Sequence, residues 1–480
     1  MADQTAWNIR DVAAVTDGEL AAGAGHETFD GISIDSRTLQ KGELFVAIAG
    51  QRYDGHDFID QVLAQGAGGV MIDRTHAAAG IGTRIKSAGA PCVVVENTVR
   101  ALGDLARHRR RVLNPRVAAI TGTNGKTTTK EMAASVCRQR YRVLSTAGNF
   151  NNEIGLPLTL FRLEKQHRVA VLELGMSAPG EMGRLAKICE PDLGVVLNVG
   201  AGHLAGLESL DGVAKAKGEL IEGLGKRGVA VLNADDARVA RMAEKAPGRV
   251  ITWGVSPGAD VRAESVRRSE GRVCFDLILP GGRRTAVALP VAGAFMVSNA
   301  LAAAAVGEEF GVSAAEIKAG LEGFSPVPGR MTVVQTRAGF TLVDDTYNAN
   351  PESMKAALTG LRELKGAGRG ILIMGDMFEL GDHAPLMHGK TGVMAAESGV
   401  NRLYVTGEFA EAVAGGAASA GMAPEKIMTG SKEEIIAAAC SVLGPGDWVL
   451  VKGSRGMRME TVVRALLAHG DGATETKGSR

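Results

Sequence analysis

The stretch ITGTNGKTTTKEM, Ile120 to Met132, carries the strongest chemical signal in this 480-residue chain. Its residue types describe a cradle for phosphate. Gly122 and Gly125 allow the backbone to turn tightly and to bring amides close to anionic oxygens. A helix opening near Lys126 points its unpaired amides and positive end at the same place. Lys126 adds a full charge for β- and γ-phosphates, and Thr127 offers a hydroxyl to magnesium. The usual loop pattern is G-x-x-x-x-G-K-[ST]. Here the position five before Gly125 is Ile120.

Three other groups could join this chemistry. Glu173 ends the apolar run RVAVLELG, and a carboxylate at a strand end beside a phosphate loop can hold magnesium. His203 closes LNVGAGH, the next strand and loop. Lys215 and Lys217 lie in LESLDGVAKAKGELIEGL, which reads as a helix. Two residues apart is roughly 200° of helix, so the two lysines cannot share a face. An inward ammonium needs a partner or a modification, because burying it unpaired is costly.

The elements that must position these groups follow from apolar periodicity. RVAAITG, RVAVLELG, LGVVLNVG, GVAVLNADD and RVITWG are near-continuous apolar runs, each followed by turn residues and a helical stretch. Such runs are buried on both faces, so they predict a mainly parallel sheet flanked by helices. Thr121, Glu173, His203 and Asp235 cluster just past the strand ends, where ligands of open α/β sheets bind. Residues 260–290 predict an antiparallel excursion, and VSNALAAAAVGEEF a helix. Before this unit, GISIDSR, GELFVAIAG, GGVMIDR and APCVVVEN predict strands of a small α/β domain that leaves through the helix TVRALGDLARHRRRVL. After it, FSPVPGR marks a boundary, and FTLVDD, GILIMGD, RLYVTG and DWVLVKGS predict a third α/β domain. The expected domains are 1–114, 115–327 and 328–470, with 471–480 a disordered tail.

Composition narrows the class. Apolar residues are 45% and charged residues 22%, ordinary for globular domains. Lys+Arg (54) and Asp+Glu (53) nearly cancel, and aromatics are 4%, which argues against a nucleic-acid partner. Arg107 to Arg111 reads as the solvated end of a helix. The five scattered cysteines include no C-x-x-C pair, which argues against a disulfide framework or a cysteine zinc site. The opening residues do not form a signal peptide, and no run is long enough to span a membrane, so a cytoplasmic protein without membrane insertion is expected.

GTNGKTTT, ELG, NVGAGHL…GVAKAKGEL, SNALAAAA, PGRM and VDDTYNANPESM resemble, in order and over nearly the whole chain, the Mur ligases of bacterial cell-wall synthesis. That family's loop has the TGTNGKT form, which accounts for Ile120. Within it, residues 35–58, GNFNNEIGLPLTL, DDTYNANPESM and MGDMFELG resemble members that add D-alanyl-D-alanine. The resemblance implies an N-terminal UDP-sugar domain, a central P-loop ATPase domain and a C-terminal Rossmann-like domain. It implies an ATP-dependent amide ligase that phosphorylates the terminal carboxylate of UDP-N-acetylmuramoyl-tripeptide and passes the acyl group to D-Ala-D-Ala, acting as a monomer.

The resemblance also assigns residues. Gly122, Thr123, Asn124, Gly125, Lys126, Thr127 and Thr128 correspond to the ATP phosphate cradle. Thr127 and Glu173 correspond to ligands of one Mg²⁺, and Glu173 and His203 to ligands of a second. Lys217 aligns with a lysine that CO₂ carbamylates, turning an inward cation into a carboxylate-like metal ligand, with Lys215 outward. Asn299 corresponds to an adenine contact, and Arg330 and Asp345 to contacts with ATP phosphate and ribose. Ser36, Arg37 and Asp57 fall in the UDP-sugar segment. Asn149, Asn151 and Asn152 resemble central-domain substrate contacts, and Tyr347, Asn348 and Asn350 a dipeptide-side loop. Phe295-Met296 replaces the family's usual His-Asn, so the adenine contacts here are expected to be partly apolar. Other amide ligases of this architecture, adding diaminopimelate, lysine or glutamate, share most of these features, and a nucleotide switch without a covalent product shares the loop. The DNPR sequence that marks diaminopimelate addition is absent from DDTYNANPES.

Overall fold

The computed structural model describes residues 7–202, 204–269, 271–291 and 293–472. Three large sheets and one two-stranded antiparallel pair, Trp7–Asn8 with Thr28–Phe29, organise them. The first has five strands in the order Glu19–Ala22, Cys92–Val95, Gly69–Asp73, Leu44–Val46, Ile32–Ser33, parallel except at the Glu19–Ala22 edge. The helix Thr98–Leu113 leads out of it.

The second sheet has nine strands. Arg116–Thr121 lies between Leu193–Val196 and Val169–Glu173, all parallel. Val143–Ser145 forms one edge; Val229–Asn233 and Arg249–Gly254 continue the other side in parallel. The expected antiparallel excursion is Val261–Ser269, Arg272–Leu279 and Arg283–Leu289. Alternation within the apolar runs decides which helices cover which face. Ala118 and Ile120 face the helices Lys126–Arg138 and Met296–Glu309, whereas Val117 and Ala119 face Glu181–Cys189 and Leu210–Glu222. Both faces are thus dry, which is why these strands read as continuous apolar runs.

The third sheet has six strands, ordered Thr332–Gln335, Thr341–Asp345, Trp448–Lys452, Gly370–Met374, Arg402–Val405, Ile427–Thr429, with only the first antiparallel. One apolar cluster runs without a break from the second sheet through Phe324 and Met331 to Met354 and Leu372. Asp471 ends the last helix, Glu460–Asp471, and accepts a bond from the Arg337 amide at 3.0 Å, so the expected tail begins later than residue 471; residues 473–480 lie outside the described residues. No described helix is long and apolar enough to cross a membrane, and all five cysteines are free thiols.

The basic run 107–111 is not a solvated helix end. Arg110 is buried and donates to the Cys189 and Glu190 carbonyls at 3.0 Å each and to Asn114 Oδ1 at 3.1 Å. Arg111 pairs with Glu190, and Arg109 donates to the Leu163 carbonyl at 2.8 Å. The run clamps the outgoing helix to the nine-stranded sheet's flanking helices. Arg110→Ala strands buried carbonyls and is expected to cost about 2–3 kcal/mol of stability. An unchanged urea midpoint in that variant contradicts the clamp.

Candidate active site

The loop between the strand Arg116–Thr121 and the helix Lys126–Arg138 is locked in shape before any ligand is considered. Gly125 caps the helix with φ of 81°, a left-handed conformation that costs a side-chain-bearing residue about 1–2 kcal/mol. A Cβ there would also lie 2.5 Å from Asn299 Oδ1. Asn198, at the end of the neighbouring strand, accepts from the Asn124 amide at 2.8 Å and donates to the Asn124 carbonyl at 3.1 Å. Thr123 Oγ1 accepts from the Gly200 amide at 2.9 Å. Sequence reasoning missed Asn198, although it is a polar residue just past a strand end.

Lys126 Nζ donates to the Gly122 and Thr123 carbonyls at 2.7 and 3.2 Å. Burial lowers its pKa, opposed chiefly by the Glu173 charge nearby. Glu173 is only 3% exposed. Asn151 donates to its Oε1 at 2.8 Å, and its backbone amide donates to Thr146 Oγ1 at 3.0 Å. Oε2 has no hydrogen-bond partner among the described residues, and neither does Thr121 Oγ1. A buried carboxylate oxygen without a donor is costly unless a cation meets it.

Lys217 supplies the second anomaly. Lys215 is exposed and Lys217 is 2% exposed, as the helix period requires. Lys217 has neither a hydrogen bond nor an ion pair among the described residues. Burial, with the Lys126 charge as a lesser cause, pushes its pKa well below the ordinary lysine value. Its charged form is disfavoured both by burial and by a neighbouring cation. These groups fit a divalent cation: a carboxylate oxygen without a donor, the buried hydroxyls of Thr121 and Thr127, and an amine primed for modification. His203 lies outside the described residues.

The third domain docks on the loop. Asn350, the N-cap of the helix Pro351–Lys365, donates through Nδ2 to Asn124 Oδ1 at 2.8 Å and accepts from Asn124 Nδ2 at 3.2 Å. Arg330 Nη2 donates to Thr127 Oγ1 at 3.3 Å, and its guanidinium lies 3.9 Å over the Tyr347 ring, with Arg455 at 5.6 Å from the same ring. Arg330 Nε is buried and has no partner among the described residues. Asp345 has both carboxylate oxygens engaged within the protein, Oδ1 by the Met331 amide at 3.1 Å and Oδ2 by Lys452 Nζ at 2.6 Å. Lys452 also donates to the Asn348 carbonyl at 2.8 Å, while Asn348 itself is exposed.

Beside Thr128 and Arg330 lies a cavity of about 220 Å³, walled by Pro290, Val291, Met296 and Phe324. Asn299 is tied to one of these walls rather than lining the cavity itself: Oδ1 accepts from Thr129 Oγ1 at 3.2 Å, and Nδ2 donates to Met296 Sδ at 3.4 Å. Asn152 caps the helix Gly155–Phe161 through the Gly155 amide at 2.8 Å, whereas Asn149 is exposed. The remaining expected residues are apart from the loop, in the first domain. Ser36 is buried, Arg37 is exposed and paired with Asp35 at 2.7 Å, and Asp57 is exposed on the short helix Gly55–Phe58.

Comparison with known proteins agrees with this geometry. The model of the Mur ligase family catalytic domain matches residues 28–110, that of the Mur ligase middle domain 120–307, and that of the Mur ligase glutamate ligase domain 329–455. The UDP-N-acetylmuramoyl-tripeptide–D-alanyl-D-alanine ligase of Escherichia coli (strain K12) is 37% identical over 446 residues, 92% of this chain and 95% of that protein. A crystal structure of MurF from Acinetobacter baumannii superposes with a TM-score of 0.88 at 32% identity, covering 96% of this chain and 99% of the other. MurF ligase from Thermotoga maritima in complex with ADP gives a TM-score of 0.80 at 28% identity over 92% and 97%.

Proposed function

The chain belongs to the Mur ligase family, and from that premise we infer how its residues divide the work of an ATP-dependent ligase that joins D-alanyl-D-alanine to UDP-N-acetylmuramoyl-tripeptide. One arrangement supports the division above the others. Beside the loop lysine are buried a carboxylate, Glu173, with an oxygen unengaged among the described residues, and a lysine, Lys217, without a counter-ion among them.

The loop amides from Thr123 to Thr128 cradle the ATP phosphates, and Lys126 leaves its two carbonyl partners to meet the β- and γ-oxygens. Arg330, held flat on Tyr347, adds charge from the third domain. The adenine lies in the slot of Pro290, Val291 and Met296, whose Met296 wall is tied to the Asn299 amide, so apolar contact replaces the family's usual polar pair. Asp345, whose oxygens already bind Met331 and Lys452, positions the turn beside the nucleotide and offers the ribose only a shared oxygen.

Thr127 and Glu173 would hold one magnesium ion, and Glu173, His203 and Lys217 a second. When bound, magnesium neutralises the phosphate charge and polarises the transferring phosphoryl group. Lys217 becomes a ligand by modification. Its neutral amine attacks CO₂, an N–C bond forms, and the nitrogen releases a proton to water, leaving a carbamate anion where the ammonium would have been repelled.

A carboxylate oxygen of the tripeptide then attacks the γ-phosphorus, the bond to the bridging oxygen breaks and ADP leaves. The dipeptide amine adds to the acyl carbon of the resulting acyl phosphate, loses a proton, and expels phosphate to leave the amide. Ser36, Arg37 and Asp57 contact the UDP-sugar, Asn149, Asn151 and Asn152 the muramoyl-peptide, and Tyr347, Asn348 and Asn350 the dipeptide. ADP release tests this: with the UDP-muramoyl-tripeptide present, D-Ala-D-Ala is expected to support turnover, and diaminopimelate, D-glutamate and glutamate to give background rates. Release independent of the acceptor overturns the reading.

A further inference from the structure

A second cluster of metal-binding side chains lies in the first domain, away from the phosphate loop. Asp54 precedes the short helix Gly55–Phe58, and Asp73 ends the strand Gly69–Asp73. His56 and His76 follow them in the patterns Asp-x-His and Asp-x-x-His. The two imidazoles stack with centroids 3.8 Å apart and planes 8° from parallel. Both face one carboxylate: His56 Nδ1 lies 2.6 Å from Asp54 Oδ1, and His76 Nε2 3.1 Å from Asp54 Oδ2. Asp73 stands behind both rings, with Oδ1 2.9 Å from His76 Nδ1 and Oδ2 3.5 Å from His56 Nε2.

We infer that Asp54, His56 and His76 form a site for a divalent transition-metal ion of the zinc class, with Asp73 as the positioning residue for both imidazoles. One ligand atom from each of the three lies within 4.8 Å of the others. Ligands at bond lengths of about 2.0–2.2 Å around a tetrahedral ion are themselves roughly 3.4 Å apart; because the two rings stack 8° from parallel, the exposed His76 ring must tilt for both in-plane lone pairs to meet one ion. Each ligating ring needs one bare nitrogen: His76 releases the Nε2 proton to solvent, and His56 carries its proton on Nε2, facing Asp73 Oδ2 at 3.5 Å. His76 Nδ1 keeps the Asp73 carboxylate at 2.9 Å, and His56 Nε2 has the Asp73 amide at 3.3 Å and Asp73 Oδ2 at 3.5 Å, so Asp73 orients both rings. Two imidazoles and one carboxylate favour zinc, cobalt or nickel over magnesium. His56 is closed off, while the side chains of Asp54 and His76 are 30% and 29% exposed, leaving a route for the ion and a position for water. The ion would pin the turn carrying Asp57 to the adjacent strand end.

The full chain, stripped with a chelator and titrated with Co²⁺ in the absence of nucleotide, is expected to develop the visible absorption of four-coordinate cobalt at one equivalent, displaced by Zn²⁺. His76→Ala and Asp54→Asn are expected to lose that absorption, Asp73→Asn to weaken binding by about 10–100-fold, and Glu173→Gln to keep it. No such band in the parent chain overturns the site. So does a band that survives in both His76→Ala and Asp54→Asn, or one that disappears in Glu173→Gln.

Discussion

Lys217→Ala is expected to lower ligase turnover by about 10³-fold or more, with formate or acetate restoring part of it. Removing one group that stabilises developing charge in a closed site costs about 10²–10³-fold, and on the proposed carbamate reading the side chain also completes a metal site. Loss of a cation is not the cause. Lys217 is 2% exposed, has no counter-ion among the described residues, and has Lys126 as its charged neighbour. Its removal therefore leaves no ion-pair partner stranded among the described residues, and a folded, stable, inactive variant is expected. Small carboxylates can diffuse into the space and replace the carbamate oxygens. Exclusion of CO₂ should lower the activity of the parent chain reversibly and leave the variant unaffected. Full activity in Lys217→Ala refutes the assignment, and inactivity without carboxylate rescue refutes the carbamate.

The second large effect belongs to Lys126. Lys126→Ala is expected to reduce kcat/KM for ATP by about 10³-fold, a loss of about 4 kcal/mol of transition-state stabilisation. Its ammonium now bonds the Gly122 and Thr123 carbonyls, so the folded loop does not depend on it alone; Asn198 and the Gly200 amide hold the same turn. Thermal stability should change little while phosphate transfer fails. Lys126→Arg keeps the charge, but its planar fork does not reproduce a compact ammonium between two carbonyls, so most of the loss should remain. A variant that binds ATP as tightly as the parent and turns over at a comparable rate contradicts the role.

The parallel strands were legible because burial on both faces leaves no alternation to hide them. RVAAITG, RVAVLELG and LGVVLNVG became the strands beside the loop, with Glu173 at one end. The edge strands Val143–Ser145, Thr332–Gln335 and Ile427–Thr429 were not legible. Each is short and half exposed, so its composition resembles a loop and only pairing with a neighbour defines it. Helical period required only that Lys215 and Lys217 face opposite ways; the family resemblance picked Lys217 as the inward one, which the structure bears out. The engagement of Asp345 with Lys452, 107 residues later, was not legible, because it depends on two parallel strands being adjacent. The run at 107–111 was misread for the same reason: residue type reports charge, and only the fold brings the Cys189 and Glu190 carbonyls to Arg110. The Asp54–His56–Asp73–His76 cluster is likewise made by strands and turns distant in sequence.

The paired amides of Asn124 and Asn350 have a further consequence. Asn124 belongs to the turn proposed to receive phosphate, and Asn350 begins the helix that follows the loop proposed to hold the dipeptide. A nucleotide that shifts the first turn must shift the energy of the second. In a thermodynamic cycle the two ligands then alter each other's dissociation constants by the same factor. Weakening that amide pair should bring the factor toward one, leaving two sites that fill independently.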